Sequence, residues 1–378
     1  MNKLNIKLTA SLAVALFAGF SVFYACKKEE NTFKSPPMSS ELKMLYGNLP
    51  SVDFGNITLL NGEILKFESF EHYEQVYEDL LMLYETWNDL FFATYDSIPD
   101  DKLDDLIRQL GFDEYLPLLK FEEIFGIAGN NLRSEIVKAE EKWLLTSLNG
   151  ISPFDEIVPC PVEQTLFSKW HEIAIGDTIC QMRGGCFEIY IPVKDIQYIN
   201  IIRNVTKEEL RTKAAVPGLP NNPPYYSIDE DGNNNSGCYK SDYSKPGQKI
   251  LNPPYNNIRL DWFFKYEYRN FLADTRTTVI MWNYKKVNGV WEKNRKAVCA
   301  LGSVTKLYNA ENGCDELGYF NKPMNTPGKA FKRTKRRCFA FFDVYPVHQK
   351  CDPNESRVLC HLDGVNYTFN ALTGERIY

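Results

Sequence analysis

The apolar residues of this chain change period once, and that change limits its folds more than any other feature. After Ser69, the residues Phe70, Tyr73, Val76, Tyr77, Leu80, Leu81, Tyr84, Trp87, Leu90 and Phe91 recur at i, i+3, i+4 spacing, the stripe of a helix with one buried face. Ser69 is a natural N-cap for that helix, with Glu71 in its first turn. Far downstream, Ile258, Leu260, Trp262, Phe264, Tyr266 and Tyr268 occupy every second position opposite Arg259, Asp261, Lys265, Glu267 and Arg269, so one strand face is predicted buried and the other wetted. A chain that does both is neither all-helical nor all-β. The expectation is an α+β protein: a helical N-terminal domain followed by an antiparallel β-sandwich or barrel-like C-terminal domain.

At 378 residues, with 44% hydrophobic and 14% aromatic residues, the chain is long enough for two or three buried cores. Asp100 to Leu110 reads as a helix stopped by Gly111, and Leu132 to about Leu148 as another stopped by Asn149-Gly150, which makes 57–150 a helical domain. In 151–215 the period turns mixed. Phe187, Ile189, Ile191 and Val193 alternate like a strand, and Thr206 with Glu209 forms a capping box for a short helix. Residues 216–257 are rich in Pro, Asn, Gly and Tyr, including Asp231-Gly232 before Asn233-Asn234-Asn235, and read as a linker or long loop. In 258–378, Asn288-Gly289, Asp363-Gly364 and Thr373-Gly374 are hairpin turns within an antiparallel β-domain.

The front of the chain carries an address. Lys3 and Lys7 precede an apolar stretch from Leu8 to Phe23, broken by Thr9, Ser11, Gly19 and Ser21 and ended by Ala25-Cys26: a basic region, an apolar region and a small residue at a cleavage point. The stretch is short for a helix that must cross roughly 30 Å of hydrocarbon. Residues 1–25 thus read as a signal peptide, and 26–56 as a lipidated cysteine and tether. Cys26 followed by Lys27-Lys28-Glu29-Glu30 resembles the lipobox and charged export tag of Gram-negative surface lipoproteins, with Phe23 and Tyr24 departing from the usual box. That resemblance implies lipid on Cys26 as the anchor in the bilayer, and a place in the cell envelope, at the outer membrane.

Two internal segments carry a further resemblance. Asn61-Gly62-Glu63-Ile64-Leu65-Lys66-Phe67-Glu68-Ser69 runs into the long helix, and Glu172-Ile173-Ala174-Ile175-Gly176-Asp177-Thr178-Ile179 is followed by Gly185 and Phe187-Glu188-Ile189. Both are similar to segments of uncharacterised surface lipoproteins of Gram-negative gut-type bacteria. The resemblance covers about half the chain, and implies a helical N-terminal domain, a β-rich C-terminal domain and no established activity.

Charge is unevenly spread. Residues 57–156 hold 22 acidic against 7 basic residues, and 258–378 hold 20 basic against 12 acidic, so the two halves either dock on one another, meet different partners, or carry ordinary solvated faces. Removing Cys26 from ten cysteines leaves nine, all between Cys160 and Cys360. Export makes disulfides plausible, and an odd count leaves at least one free or intermolecular thiol. Cys180 with Cys186, and Cys351 with Cys360, are near enough in sequence to close small loops, although spacing alone does not fix connectivity.

Chemistry-bearing residues are sparse. Cys186, with His348, His361 and Asn366 downstream, follows the Cys, His, Asn order of papain-like proteases, in which a thiolate attacks a carbonyl and an imidazole moves the proton. Phe187 stands where that pattern has Trp, and Gln181 is one residue too close. The four histidines share no metal-ligand spacing and no Cys-x-x-Cys occurs, so neither a metal nor a cofactor is expected. Lys329, Lys332, Arg333, Lys335, Arg336 and Arg337 form a basic run that suits an acidic glycan or lipid head groups better than nucleic acid, if it is more than an exposed loop. Trp282 and Trp291, with Tyr225 and Tyr226, offer aromatic area for a sugar ring, whereas Trp262 belongs to the core. These residues favour a non-enzymatic surface binding or assembly protein with a glycan or envelope-protein partner. A hydrolase with its site between the middle segment and the β-domain, or a structural adhesion protein, are the alternatives.

Overall fold

The computed structural model describes residues 37–378 apart from 146–154, 156, 159, 184–186, 213–215, 230–241, 252–256, 270–273, 288, 294–297, 310–314, 323–327, 330–336, 340–348, 363–364, 371–372, 374 and 378. The chain is α+β, and its first sheet is mixed. Strands β1 (Thr58–Leu60), β2 (Ile64–Phe67), β3 (Glu172–Ile175), β4 (Thr178–Met182), β5 (Phe187–Pro192) and β6 (Tyr226–Asp229) lie side by side in that order. Every neighbouring pair is antiparallel except β2 and β3, which run parallel with Lys66 opposite Ala174 and Phe67 opposite Ile175. Parallel neighbours need a long crossover, and here the crossover is the helical part of the chain.

Eight helices among the described residues are α1 (Ser40–Gly47), α2 (Phe70–Thr94), α3 (Asp100–Leu110), α4 (Leu116–Phe125), α5 (Leu132–Leu145), α6 (Pro161–Leu166), α7 (Ile199–Arg203) and α8 (Lys207–Thr212). None is long and apolar enough to cross a membrane. Ser69 caps α2 by accepting the His72 N–H at 3.2 Å, and α3 ends on Gly111 in the left-handed conformation, as the sequence predicts. One stretch differs from its expectation. Residues 40–49 are not tether: Leu42, Leu45, Tyr46 and Leu49 make a helical stripe, Ser39 caps it, and Leu42 is buried with Trp87, Phe91, Leu103 and Phe112. The Ser39 N–H also donates to the Leu110 carbonyl at 2.9 Å, which fastens α1 to the end of α3.

The first sheet is buried on both faces. Leu65, Phe67, Ile173, Cys180 and Tyr190 pack with Tyr73, Val76, Tyr77 and Leu80 of α2, Leu118 and Phe121 of α4, and Val162 and Leu166 of α6. Ile64, Ala174, Ile179, Ile189 and Ile191 face the other way, onto Ile199 and Ile202 of α7, Leu210 of α8 and Tyr225. The first of these cores therefore spans position 150. Val193 does not extend the β5 alternation; it opens a 3-10 turn, Val193–Tyr198, behind Pro192. The capping box is present, with Thr206 N–H donating to Glu209 at 2.9 Å and Glu209 N–H donating back to the Thr206 hydroxyl at 3.3 Å.

The remaining strands are β7 (Asp242–Ile250), β8 (Ile258–Arg269), β9 (Asp274–Val287), β10 (Val290–Lys293), β11 (Val298–Asn309), β12 (Asp315–Lys322), β13 (Gly328–Lys329), β14 (Arg337–Phe339), β15 (Gln349–Leu362), β16 (Val365–Asn370) and β17 (Arg376–Ile377). One antiparallel sheet has the order β10-β9-β8-β7 with β14 on β9; the other has β12-β11-β15-β16-β17 with β13 on β11. Trp262 of the first stacks on Phe369 of the second, 4.4 Å between centroids. The stretch expected as a linker thus supplies two strands, β6 and β7. Pro246 sits in β7, at the end of the sheet order, the edge position to which proline in sheets is largely confined.

The polar face of β8 is a second departure. Arg259 and Asp261, expected in water, are buried, because Trp143 of α5 and Tyr284 of β9 cover them. The Arg259 guanidinium donates to both Asp261 oxygens at 2.7 Å and lies over the Trp143 and Tyr284 rings at 5.5 and 5.8 Å.

Candidate binding surface

The two segments that carry the lipoprotein resemblance meet in the parallel pair β2–β3, and polar side chains collect at both ends of β3. At its C-terminal end the β3–β4 turn runs through Gly176, φ 56°, whose N–H donates to the Phe67 carbonyl at 2.9 Å. A shallow cleft of about 370 Å³ opens there, between Asn56, Thr58, Lys66, Glu68 and Asp177. Its groups are largely occupied with one another: Asn56 donates to Glu68 at 3.0 Å, and Lys66 pairs with Asp177 at 3.3 Å. Asp177 is 99% exposed, so that ion pair holds little. Behind the cleft, His72 Nδ1 accepts the Glu68 N–H at 3.3 Å and Nε2 donates to the Phe54 carbonyl at 2.8 Å, a pattern only the neutral Nε2–H tautomer satisfies.

At the N-terminal end of β3 the carboxylate of Glu172 is buried. It accepts from Arg203 Nε at 2.8 Å and Nη2 at 2.5 Å, from Gln181 at 3.0 Å and from the Ser168 hydroxyl at 3.0 Å. Arg203 also reaches Glu63, in the β1–β2 turn, at 2.7 Å. Burial pushes the Glu172 carboxyl up, against the pull of Arg203 and Ser168. The turn just before, Ser168 to Glu172, carries His171 at φ 59° and presents Trp170 to solvent with 41% of its surface open. Asp155 accepts from His171 Nε2 at 2.8 Å and from the Ile157 and Val158 N–H groups.

The third feature is the β6 edge. Tyr226 lies flat on Tyr190 of β5, 4.6 Å between centroids and 10° between planes, and 52% of it is exposed. Tyr190 is itself fixed, because its hydroxyl donates to the buried Glu188 carboxylate. Burial first, and the Glu188 charge second, push the Tyr190 hydroxyl far up, so it stays a proton donor at any physiological pH.

The residues singled out in the sequence fare differently. Tyr226 is on the surface, but its neighbour Tyr225 is 4% exposed and belongs to the core on Ile189 and Ile191, because successive strand residues face opposite ways. Trp282 lies in β9 opposite Asp261, and Trp291 in β10 opposite Lys286; His361 lies in β15 opposite Asn366. Cys26, Cys186, Lys332, Arg333, Arg336 and His348 fall outside the described residues. The cysteine pairs need correction. Cys180 is a buried thiol outside any disulfide, so it forms no bridge with Cys186; Cys160 is disulfide-bonded. Cys351 and Cys360 stand opposite Leu307 and Leu301. Six residues of strand separate those partners, roughly 20 Å at about 3.3 Å per residue, well beyond the span of one disulfide. Among the described residues no three His, Cys, Asp or Glu side chains are grouped to hold a metal ion.

Trp170 and the Glu63–Arg203–Glu172 cluster were missed in the sequence. Trp170 belongs to no apolar period, and a tryptophan outside every stripe is the signal that points to it. The ion cluster joins residues 63, 172 and 203, which no local pattern links.

No protein-family model and no curated protein sequence matches the chain. Among solved structures it is similar to a DUF4848 family protein from Bacteroides thetaiotaomicron VPI-5482, at 10% identity over 82% of this chain and 96% of that one, with a TM-score of 0.16. A likeness at that score carries no argument about fold or function.

Proposed function

We propose that this protein is a cell-envelope lipoprotein, cut before Cys26, held at the outer membrane by lipid on that cysteine, and dedicated to binding a glycan without transforming it. Its helices and mixed sheet are read as one unit and its two later antiparallel sheets as a sandwich. The observation that carries the reading is Tyr226. A half-exposed phenol ring lies parallel on a second ring at the outer edge of a sheet, and the second ring is locked by a buried carboxylate. Such a platform pays its ordering cost in advance. Its open area suits the apolar C–H face of a sugar, and its hydroxyl supplies a polar handle at the ring's end. The site lies on the first sheet, at Tyr226, one of the four aromatic residues singled out in the sequence for a sugar ring.

The test is glycan-array binding of residues 27–378, followed by titration of whichever oligosaccharide is retained. Tyr226→Ala is expected to weaken binding at least tenfold while leaving the circular dichroism unchanged. An array that retains nothing, or a Tyr226→Ala protein that binds as the wild type does, sinks the proposal.

A further inference from the structure

We infer that Trp170 forms a second saccharide site, distinct from the Tyr226 edge, that takes the apolar face of a pyranose ring. This rests on the glycan reading of the protein but not on Tyr226 itself. Three other tryptophans whose side chains are described, Trp87, Trp143 and Trp262, are all buried, and Trp170 alone among those four stands in the open.

Its presentation is over-determined. The Ser168 hydroxyl oxygen accepts the Trp170 N–H at 3.2 Å and the Glu172 N–H at 3.3 Å, and the Ser168 carbonyl accepts the His171 N–H at 2.9 Å. His171 adopts a left-handed conformation that a side chain with a Cβ resists. It is kept there by Asp155 on its ring and by the Met182 N–H, which donates to its carbonyl at 3.0 Å. Strain held by surrounding contacts in this way is typical of ligand clamps.

The chemistry around the ring suits a sugar. The Arg203 guanidinium lies over the indole at 5.3 Å from its centroid, fixed from behind by Glu172 and Glu63, and the exposed Lys169 ammonium also lies over the ring, at 5.8 Å. A pyranose offers one face of C–H groups for the indole and a rim of hydroxyls, which the three donors of a lysine ammonium can bind. A purely apolar partner would have to strip water from Lys169 with nothing in return.

The experiment uses residues 27–378 as wild type, Trp170→Ala, Trp170→Phe, Tyr226→Ala and the double variant Tyr226→Ala with Trp170→Phe, which supplies the same difference in the Tyr226→Ala background. Each is titrated with the oligosaccharides retained on the array, and separately with neutral phosphatidylcholine vesicles, reading intrinsic fluorescence. Six tryptophans contribute to that emission, so the Trp170 signal is taken as wild type minus Trp170→Phe. The expected result is a sugar-dependent change in that difference which persists in Tyr226→Ala, with Trp170→Ala losing at least tenfold in affinity for this site and Trp170→Phe falling between. Sugar binding unchanged in Trp170→Ala, with loss confined to Tyr226→Ala, overturns this inference and leaves the first reading standing. A Trp170 response to vesicles and not to sugars overturns it in favour of a lipid contact. No sugar binding by the wild type ends both readings.

Discussion

The first sheet and the sheet that begins at β7 both bury an arginine against a carboxylate, and they do so for different ends. On the first, Arg203 joins Glu172 of β3 to Glu63 of the β1–β2 turn, residues 31 and 140 positions away along the chain. On the second, Arg259 meets Asp261 two residues along the same strand face and spreads its guanidinium over Trp143 and Tyr284. Each arginine side chain is 4% exposed and each main carboxylate partner fully buried. The first pair is a tertiary clamp, since it exists only when three distant segments are in place. The second can form within β8 alone, and its tertiary work is to give a helix somewhere to dock. Equal burial thus hides unequal roles, because desolvation depends on where a charge sits while specificity depends on what it joins.

Removing Glu172 should have the largest effect. Glu172→Ala leaves Arg203 buried with the partly exposed Glu63 carboxylate and the Asn200 side-chain carbonyl, a neutral acceptor, to face it, and deprives Ser168 and Gln181 of an acceptor. The expected loss is about 4 kcal/mol, the range for breaking a buried pair by deleting one partner, read from urea unfolding. A loss under about 1 kcal/mol would mean that water reaches Arg203, and the clamp would be no different from a surface pair. Next comes Trp143→Ala, expected to cost about 3 kcal/mol as a large-to-small change at a buried aromatic. Its more telling readout is cooperativity. With Trp143 gone from Arg259, thermal unfolding should split into two transitions, whereas Glu172→Ala should lower one transition without adding another. A single transition in Trp143→Ala would break the comparison at its second term.

What was legible in the sequence divides along the same line. Local signals were readable to the residue: the Ser69 cap, the Gly111 stop, the Thr206–Glu209 box, and hairpin strands that close at Leu362 opposite Val365. Each depends on groups within four residues of one another. The departures all involve contacts between distant segments. Arg259 and Asp261 look like a wetted face until Trp143, more than a hundred positions earlier, is laid across them. Residues 40–49 look like tether because a two-turn helix has no stability of its own and forms only where α2 and α3 give Leu42 a place to bury. Tyr225 and Tyr226 are identical in the sequence; only the direction of β6 makes one core and the other surface.

Asp155 sharpens the comparison with the smallest effect, since it is a carboxylate held mainly by hydrogen bonds rather than by a permanent cation. Burial alone would raise its pKa, but His171 and the N–H groups of Ile157 and Val158 outweigh burial and hold it below the usual range. A depressed native pKa means that the unfolded chain takes up the proton first as pH falls. The stabilisation is therefore complete above about pH 4, where the unfolded aspartate is ionised, and is lost as pH drops through the native value. Asp155→Ala should cost about 2 kcal/mol at pH 7, the scale of stranding donors that had a charged acceptor. Urea unfolding of the two proteins across pH 2.5 to 7 should show the gap between them narrowing on the acid side of about pH 4. A gap that stayed constant to the acid limit would show that the neutral acid serves the turn equally well. Geometry alone, with no charge, would then hold His171 in its strained conformation and Trp170 in the open.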